Sequence, residues 1–209
     1  MIMKSRVKTI HRFTAILLLL FITSHLAVHL TALGGIEQHL KTLKAVQGIY
    51  RNPIGEIILV LAVITQVITG AKRLRFKRLR GWAKAQVISG CYLLFFLIIH
   101  TSAAVSTHSL FGLETNFYWA AGTVNISPIK YGFMPYYFAG VLAFFVHVAA
   151  ALRMGWPRTP KTILYALPFL GTLIGLIIVA SFAGAFYPIE VPAEVMAYFE
   201  KNFGFLDLK

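Results

Sequence analysis

The sequence predicts an all-α membrane protein with five transmembrane helices. Hydrophobic residues make up 58% of the 209 residues, and the mean hydropathy of +0.73 lies far above that of a soluble domain. Long apolar runs recur along the chain, each close to the ~20 residues that cross a bilayer. Basic residues gather in alternate connections between these runs. Together these observations exclude a soluble globular protein.

The five predicted helices follow the apolar runs in chain order, at residues 13–33, 54–71, 87–106, 134–152 and 163–186. The first run is too long for the core of a signal peptide, and no convincing cleavage site follows it. The single cysteine, Cys91, lies in the third run, so no disulfide forms within the chain. We expect one domain over residues 1–187 and a short amphipathic tail over 188–209 on the outer surface.

The charges predict the orientation of these helices. Fourteen of the twenty Lys and Arg residues lie before the first run, between the second and third, or between the fourth and fifth. The seven acidic residues lie in or beside the opposite loops and the tail. The positive-inside rule therefore predicts a cytoplasmic N-terminus and an outside C-terminus in the inner (cytoplasmic) membrane of a cell.

The segment between the second and third runs is unusually basic, with seven Lys and Arg residues over positions 72–84. Topology and contact with anionic membrane lipid account for it, and a docking surface for an acidic soluble partner is the alternative. Nucleic acid is not an expected partner, because this surface lies against a membrane.

Histidines inside the apolar runs are the candidate functional residues. In "FITSHLAVHLTALGG", residues 21–35, His25 and His29 are four residues apart and share one helix face. His100 and His147 lie in the third and fourth runs. An ionisable side chain within a membrane indicates a functional site. Hydrogen bonding between helices, a proton relay, and ligation of a metal or haem iron are the three interpretations.

The first and third helices share a spacing that favours the haem interpretation. Thr14 precedes His25 by eleven residues, and Ser89 precedes His100 by eleven. Because both helices run outward, the two imidazoles are expected at similar depth. A haem requires two ligands at matched depth on facing helices. A proton relay usually includes intramembrane carboxylates, and here only Glu56 qualifies, near the outer end of the second helix.

Five segments in order resemble a known family. "HRFT", "SHLAVHL", "YRNPIGEIILVLAVITQVITG", "GWAKAQVISGCYLLFFLIIH" and "YYFAGVLAFFVHVAAALR" are similar to helical segments of the five-helix cytochrome b membrane anchors of succinate dehydrogenases and fumarate reductases. The likeness spans most of residues 8–160. It implies a haem-binding bundle that transfers electrons between membrane quinone and soluble flavoprotein and iron–sulfur subunits on the cytoplasmic face. The catalytic site of the dehydrogenase is then expected on another chain.

The resemblance also implies roles for individual residues. His25 and His100 match the ligands of the family's outer haem, and His147 matches the fourth-helix ligand of its inner haem. The position of the second inner ligand is occupied by Gln66, and glutamine is a poor iron ligand. We therefore expect one haem b, with two as the alternative. His29, one helical turn from His25, is the rival ligand in the outer pair.

The remaining candidates lie nearer the ends of the helices. His108, in the long outer connection, is expected to touch a haem propionate, or to belong to a surface cap without a ligand. His11, Arg12 and Ser89, at the cytoplasmic ends, are expected to contact quinone; for His11 and Arg12 the alternative is an interfacial snorkelling role.

Two alternative functions stay open at this point. The first is electron transfer without succinate chemistry, in a stand-alone membrane cytochrome b or the anchor of another dehydrogenase. The second belongs to a different class, a haem-free transporter or assembly factor.

Overall fold

The computed structural model describes residues 2–74, 76 and 79–208, and within them the chain is helical almost throughout. The α-helices are α1 (Ile2–Leu30), α2 (Ile36–Tyr50), α3 (Pro53–Ala71), α4 (Gly81–Phe111), α5 (Phe117–Asn125), α6 (Lys130–Gly155), α7 (Lys161–Phe182) and α8 (Ala193–Phe203). Short 3₁₀ helices cover Thr31–Gly34 and Gly204–Leu206. Three residues of the predicted basic segment, Arg75, Lys77 and Arg78, lie outside the described residues.

The helices α1, α3, α4, α6 and α7 are long and apolar enough to cross a membrane, and they are the five such helices in the described part of the chain. The prediction of an all-α protein with five candidate spans is therefore confirmed. The longest, α4, has 31 residues. At ~1.5 Å per residue it extends for about 46 Å, so its ends pass well beyond a hydrocarbon layer of ~30 Å.

Local signals fix where two of these helices begin and end. Asn52 caps α3, because its side-chain oxygen accepts a 3.0 Å hydrogen bond from the backbone N–H of Gly55. At the C-terminal end of α7, Gly184 adopts a positive φ of 78°, two residues after the last residue of the helix. The helix consequently ends at Phe182, whereas the apolar run that predicted it extends over 163–186.

The five long helices form a closed ring in the order α1, α3, α4, α6, α7 and back to α1. Each helix packs on its two neighbours in this ring, most extensively α6 on α7 and α4 on α6. Among the described residues, no Cα of α1 lies within 8 Å of a Cα in α4 or in α6. Side chains therefore fill the middle of the ring, where residues from helices that do not touch can meet.

The two ends of the ring differ, and we name them by that difference. At the capped end, α2, α5 and α8 cover the long helices, and Val195 and Phe199 of α8 are buried against Trp119 of α5. The predicted tail, 188–209, thus contributes α8 to this cover. At the basic end lie the N-terminal part of α1, the described residues between α3 and α4 (72–74, 76, 79 and 80) and the connection between α6 and α7.

Candidate functional site

Four histidines from three helices meet at the capped end. We call them the capped-end cluster, and its members are His25 and His29 of α1, His39 of α2 and His100 of α4. His29 lies between two others: its Nε2 is 3.0 Å from His25 Nε2, and its Nδ1 is 3.1 Å from His39 Nε2. The rings of His25 and His100 meet edge to face, with centroids 6.1 Å apart. The cluster therefore joins helices α1 and α4 across the ring, although their backbones do not touch.

His39 is the deepest member of this cluster, with 0% of its side chain exposed. Its ring packs on Phe117 and Phe182, at centroid distances of 5.3 and 5.7 Å. Burial lowers the pKa of His39 to about 4, so this imidazole is neutral at physiological pH. Its Nδ1 is buried without a hydrogen-bond partner among the described residues. Such a buried, unpaired ring nitrogen is uncommon in folded proteins.

Sequence reasoning missed His39, although a signal was present. The residues at 36, 39, 40 and 43 form one apolar stripe of an amphipathic helix, in which His39 stands where a hydrophobic residue is expected. Gly35, with a positive φ of 101°, then reverses the chain between α1 and α2. This reversal brings His39 back against His29, ten residues earlier.

His100 has aromatic rather than polar neighbours. Its ring stacks on Phe96 at 5.0 Å and meets the edge of Tyr137 at 6.3 Å. Gly140 makes room for this stack, because a Cβ at that position would approach Phe96 to 2.5 Å. No described residue forms a hydrogen bond with either ring nitrogen of His100. Both nitrogens are therefore free to bind another group.

A second group of polar side chains lies inside the ring toward the basic end. We call it the basic-end cluster, and it has one part between α1 and α3 and another between α4 and α6. Its members are His11, Thr14, Gln66, Thr69, Gln86, Ser89 and His147.

In the part between α1 and α3, the side chains form a chain of hydrogen bonds in which each group donates to the next. Thr14 Oγ1 donates to Gln66 Oε1 over 2.5 Å, and Gln66 Nε2 lies 3.4 Å from His11 Nε2. His11 Nδ1 lies 3.0 Å from Thr69 Oγ1, and Thr69 donates to the carbonyl of Thr65. This direction places the proton of a neutral His11 on Nδ1. Both of its ring nitrogens are satisfied by protein groups.

The part between α4 and α6 has the same pattern. Gln86 Nε2 lies 2.9 Å from His147 Nε2, and His147 Nδ1 lies 3.2 Å from Ser89 Oγ. Ser89 in turn donates to the carbonyl of Ala85. Gly90 allows the close approach, since a Cβ there would lie 3.1 Å from the His147 ring. Gln86 was not foreseen, although it lies three residues before Ser89 on the same helix face.

Other residues singled out from the sequence lie elsewhere. Arg12 is exposed, whereas its neighbour His11 is half-buried inside the ring. His108 is exposed in the last turn of α4. Gln66 and His147, which the resemblance places at the two ligand positions of the inner haem, belong to different parts of the basic-end cluster and have different partners.

The capped-end cluster fits a group held by two imidazoles. Within the described residues, no three or more His, Cys, Asp or Glu side chains are arranged to hold a bare metal ion. The ring centroids of His25 and His100 are 6.1 Å apart, which is close enough for both imidazoles to bind one metal at ~2.1 Å. Ligation through His25 Nε2 would replace its hydrogen bond with His29. A haem needs only these two protein ligands, so the residues present fit one.

The fold and the site define this chain as an all-α, multi-pass membrane protein with a histidine cluster between its helices. No protein-family model matches the chain, and no curated protein or solved structure is significantly similar to it. The resemblance to the cytochrome b anchors therefore stays a prediction from the sequence.

Proposed function

We propose that this protein is a haem b-containing membrane anchor that transfers electrons between membrane quinone and a soluble dehydrogenase of the succinate dehydrogenase or fumarate reductase type. One observation carries the proposal. The rings of His25 and His100 lie edge to face, 6.1 Å apart, on two helices whose backbones do not touch, and the His100 nitrogens have no hydrogen-bond partner among the described residues. Hydrogen bonding between helices does not account for a histidine that forms no hydrogen bond.

In this proposal His25 and His100 hold the haem iron, and the haem, when bound, accepts and releases one electron. The chain's own residues set its surroundings. Phe96 and Tyr137 flank the ring of His100, with centroids 5.0 and 6.3 Å away. His29 and His39 lie beside His25 and are placed to orient groups around the ligand. One haem is favoured over two, because both nitrogens of His11 and of His147 already have protein partners.

The basic-end cluster is the proposed contact for quinone. His11 and Ser89 contribute polar groups inside the ring, and Gln86 Oε1 is buried there without a hydrogen-bond partner among the described residues. This amide oxygen is a suitable acceptor for the hydroxyl of a reduced quinone, whereas a quinone carbonyl would take the place of the present hydrogen-bond acceptor of His11 or Ser89. Arg12, exposed on the same part of α1, would lie at the membrane boundary.

The basic end is the proposed cytoplasmic face, where flavoprotein and iron–sulfur subunits would dock. The support is the concentration of fourteen of the twenty Lys and Arg residues at that end, without acidic residues among them. Purification under mild conditions should retain these subunits, and salt should weaken their association. A C-terminal reporter active only in the cytoplasm should stay silent. Retention of no partner, or of a different enzyme, would favour a stand-alone cytochrome or another dehydrogenase.

The experiment that tests haem binding is the dithionite-reduced spectrum of the purified chain, expressed with adequate haem. We expect the absorption bands of a b-type cytochrome, and we expect His100→Ala to lose them. The matched control is His108→Ala, which removes an exposed histidine from the same helix. A wild-type protein without these bands would contradict the proposal and favour a haem-free transporter or assembly factor.

A further inference from the structure

A groove of about 440 Å³ lies at the basic end of α4, away from both histidine clusters. One wall comes from Phe76 and Leu79, and the other from the first turns of α4. The lining residues are Phe76, Leu79, Lys84, Val87, Ile88 and Cys91. The proposed function uses only the charge of Lys84, as one of the fourteen basic residues, and leaves the apolar lining without a role, so the groove requires its own explanation.

The α4 wall is a continuous stripe on one face of the helix. Its four residues stand at positions 84, 87, 88 and 91, a spacing that places them on the same side. Gln86 and Ser89, which contact His147, lie on the opposite side. Ile88 is 57% exposed, so the stripe faces away from the ring. In a membrane-spanning helix, the outward side contacts lipid.

The groove has one charged residue at its end nearest the membrane surface, and its remaining lining is uncharged. Lys84 lies within the first turns of α4 and is exposed. Cys91 lies about 10 Å deeper along the helix. The groove thus has a cation near the membrane surface and an apolar part that extends about 10 Å below it. This arrangement matches a phospholipid, whose phosphate lies at the surface and whose acyl chain extends into the membrane.

The charge around the groove selects the sign of its ligand. Between Glu56 and Glu114 the sequence contains no acidic residue, and seven Lys and Arg residues lie over positions 72–84. No carboxylate of the surrounding sequence therefore competes for Lys84. We propose that the groove binds a phospholipid with an anionic headgroup, whose phosphate meets Lys84 and whose acyl chain lies along Val87, Ile88 and Cys91. This proposal is independent of haem binding.

Cys91 makes the proposal testable, because it is the only cysteine in the chain. The full-length protein is reconstituted in nanodiscs of phosphatidylcholine, with or without phosphatidylglycerol, and the rate of Cys91 alkylation by N-ethylmaleimide is measured. We expect alkylation to slow about fivefold with phosphatidylglycerol, the effect of one lysine near an anionic surface. Lys84→Gln should remove this protection. Lys161→Gln, which neutralises an exposed lysine at the start of α7, should retain it.

Native mass spectrometry of the same proteins gives a second measurement that does not depend on thiol reactivity. One phosphatidylglycerol should remain bound to the wild type and to Lys161→Gln, and it should be lost from Lys84→Gln. Equal alkylation rates in the two lipid mixtures would overturn the proposal. So would equal protection of wild type and Lys84→Gln, because an uncharged chain would then fill the groove without the lysine.

Discussion

The capped-end and basic-end clusters both place histidines in the middle of the helix ring, but their imidazole nitrogens have different partners. At the basic end, His11 and His147 each use both nitrogens in hydrogen bonds to Gln, Thr or Ser side chains. At the capped end, neither nitrogen of His100 has a partner among the described residues, and His39 Nδ1 is buried without one. The same residue type is therefore fully hydrogen-bonded at the basic end, whereas at the capped end His100 and His39 keep nitrogens without a partner.

The difference follows from the neighbouring residues. Each basic-end histidine has a glutamine and a hydroxyl residue on an adjacent helix within 3.4 Å of its ring nitrogens. At the capped end, phenylalanines occupy the equivalent places: Phe96 beside His100, and Phe117 and Phe182 beside His39. Aromatic rings fill space around an imidazole and offer no strong hydrogen bond. The side chains beside a membrane histidine, rather than its depth, therefore decide whether its ring nitrogens are already hydrogen-bonded.

The largest expected difference between the two clusters is in haem content, measured in a histidine variant from each end. His25→Ala should lose all detectable haem, because one of two iron ligands is gone. His147→Ala should keep about one haem per chain, because its nitrogens are already occupied by Gln86 and Ser89. The pyridine haemochrome assay measures both. Two haems in the wild type, or loss of haem in His147→Ala, would show that the basic-end cluster also binds iron, with His11 the first partner to examine.

The next effect in size is expected from His39→Ala. The change removes a fully buried ring from between Phe117 and Phe182, and a cavity of that kind costs about 2–4 kcal/mol. We expect the free energy of unfolding to fall by this amount in a denaturant titration in detergent. His108→Ala, an exposed position, should change it little. An unchanged stability in His39→Ala would show that α2 does not pack at the capped end.

A smaller effect is expected from Gln86→Leu at the basic end. The change leaves Nε2 of His147 without its 2.9 Å partner. Hydrogen bonds between membrane helices contribute about 0.6–2 kcal/mol, so stability should fall within that range. Haem content should be unaffected, since the comparison assigns no iron to this end. Loss of haem in this variant would contradict that assignment.

The smallest effect is expected from His29→Ala. His29 contacts His25 but has no ring contact with His100, so we expect the haem to remain. The bis-histidine signal in electron paramagnetic resonance should persist, with at most a shift in midpoint potential, because groups beside a ligand tune the metal rather than hold it. If His29→Ala empties the site and His25→Ala leaves it filled, the two histidines exchange roles.

Much of the fold was predictable because insertion of a helix into a membrane depends on a local property of the chain, the hydropathy of about 20 consecutive residues. A run of apolar residues specifies a span wherever it occurs, and the five runs matched five long helices. The boundaries were less predictable. Gly184 ended α7 four residues before its apolar run did, because a backbone conformation rather than hydropathy terminated the helix.

The sequence by itself determined the number of candidate spans, the separation of charge and the identity of His25, His29, His100 and His147 as candidates, since these depend on composition and helical spacing. Only the tertiary structure decided which of them meet. It brought His39 to His29 through the chain reversal at Gly35, and it joined His147 to Gln86 across two helices. These contacts depend on how helices pack in the ring, and helical spacing within one segment carries no information about its neighbours.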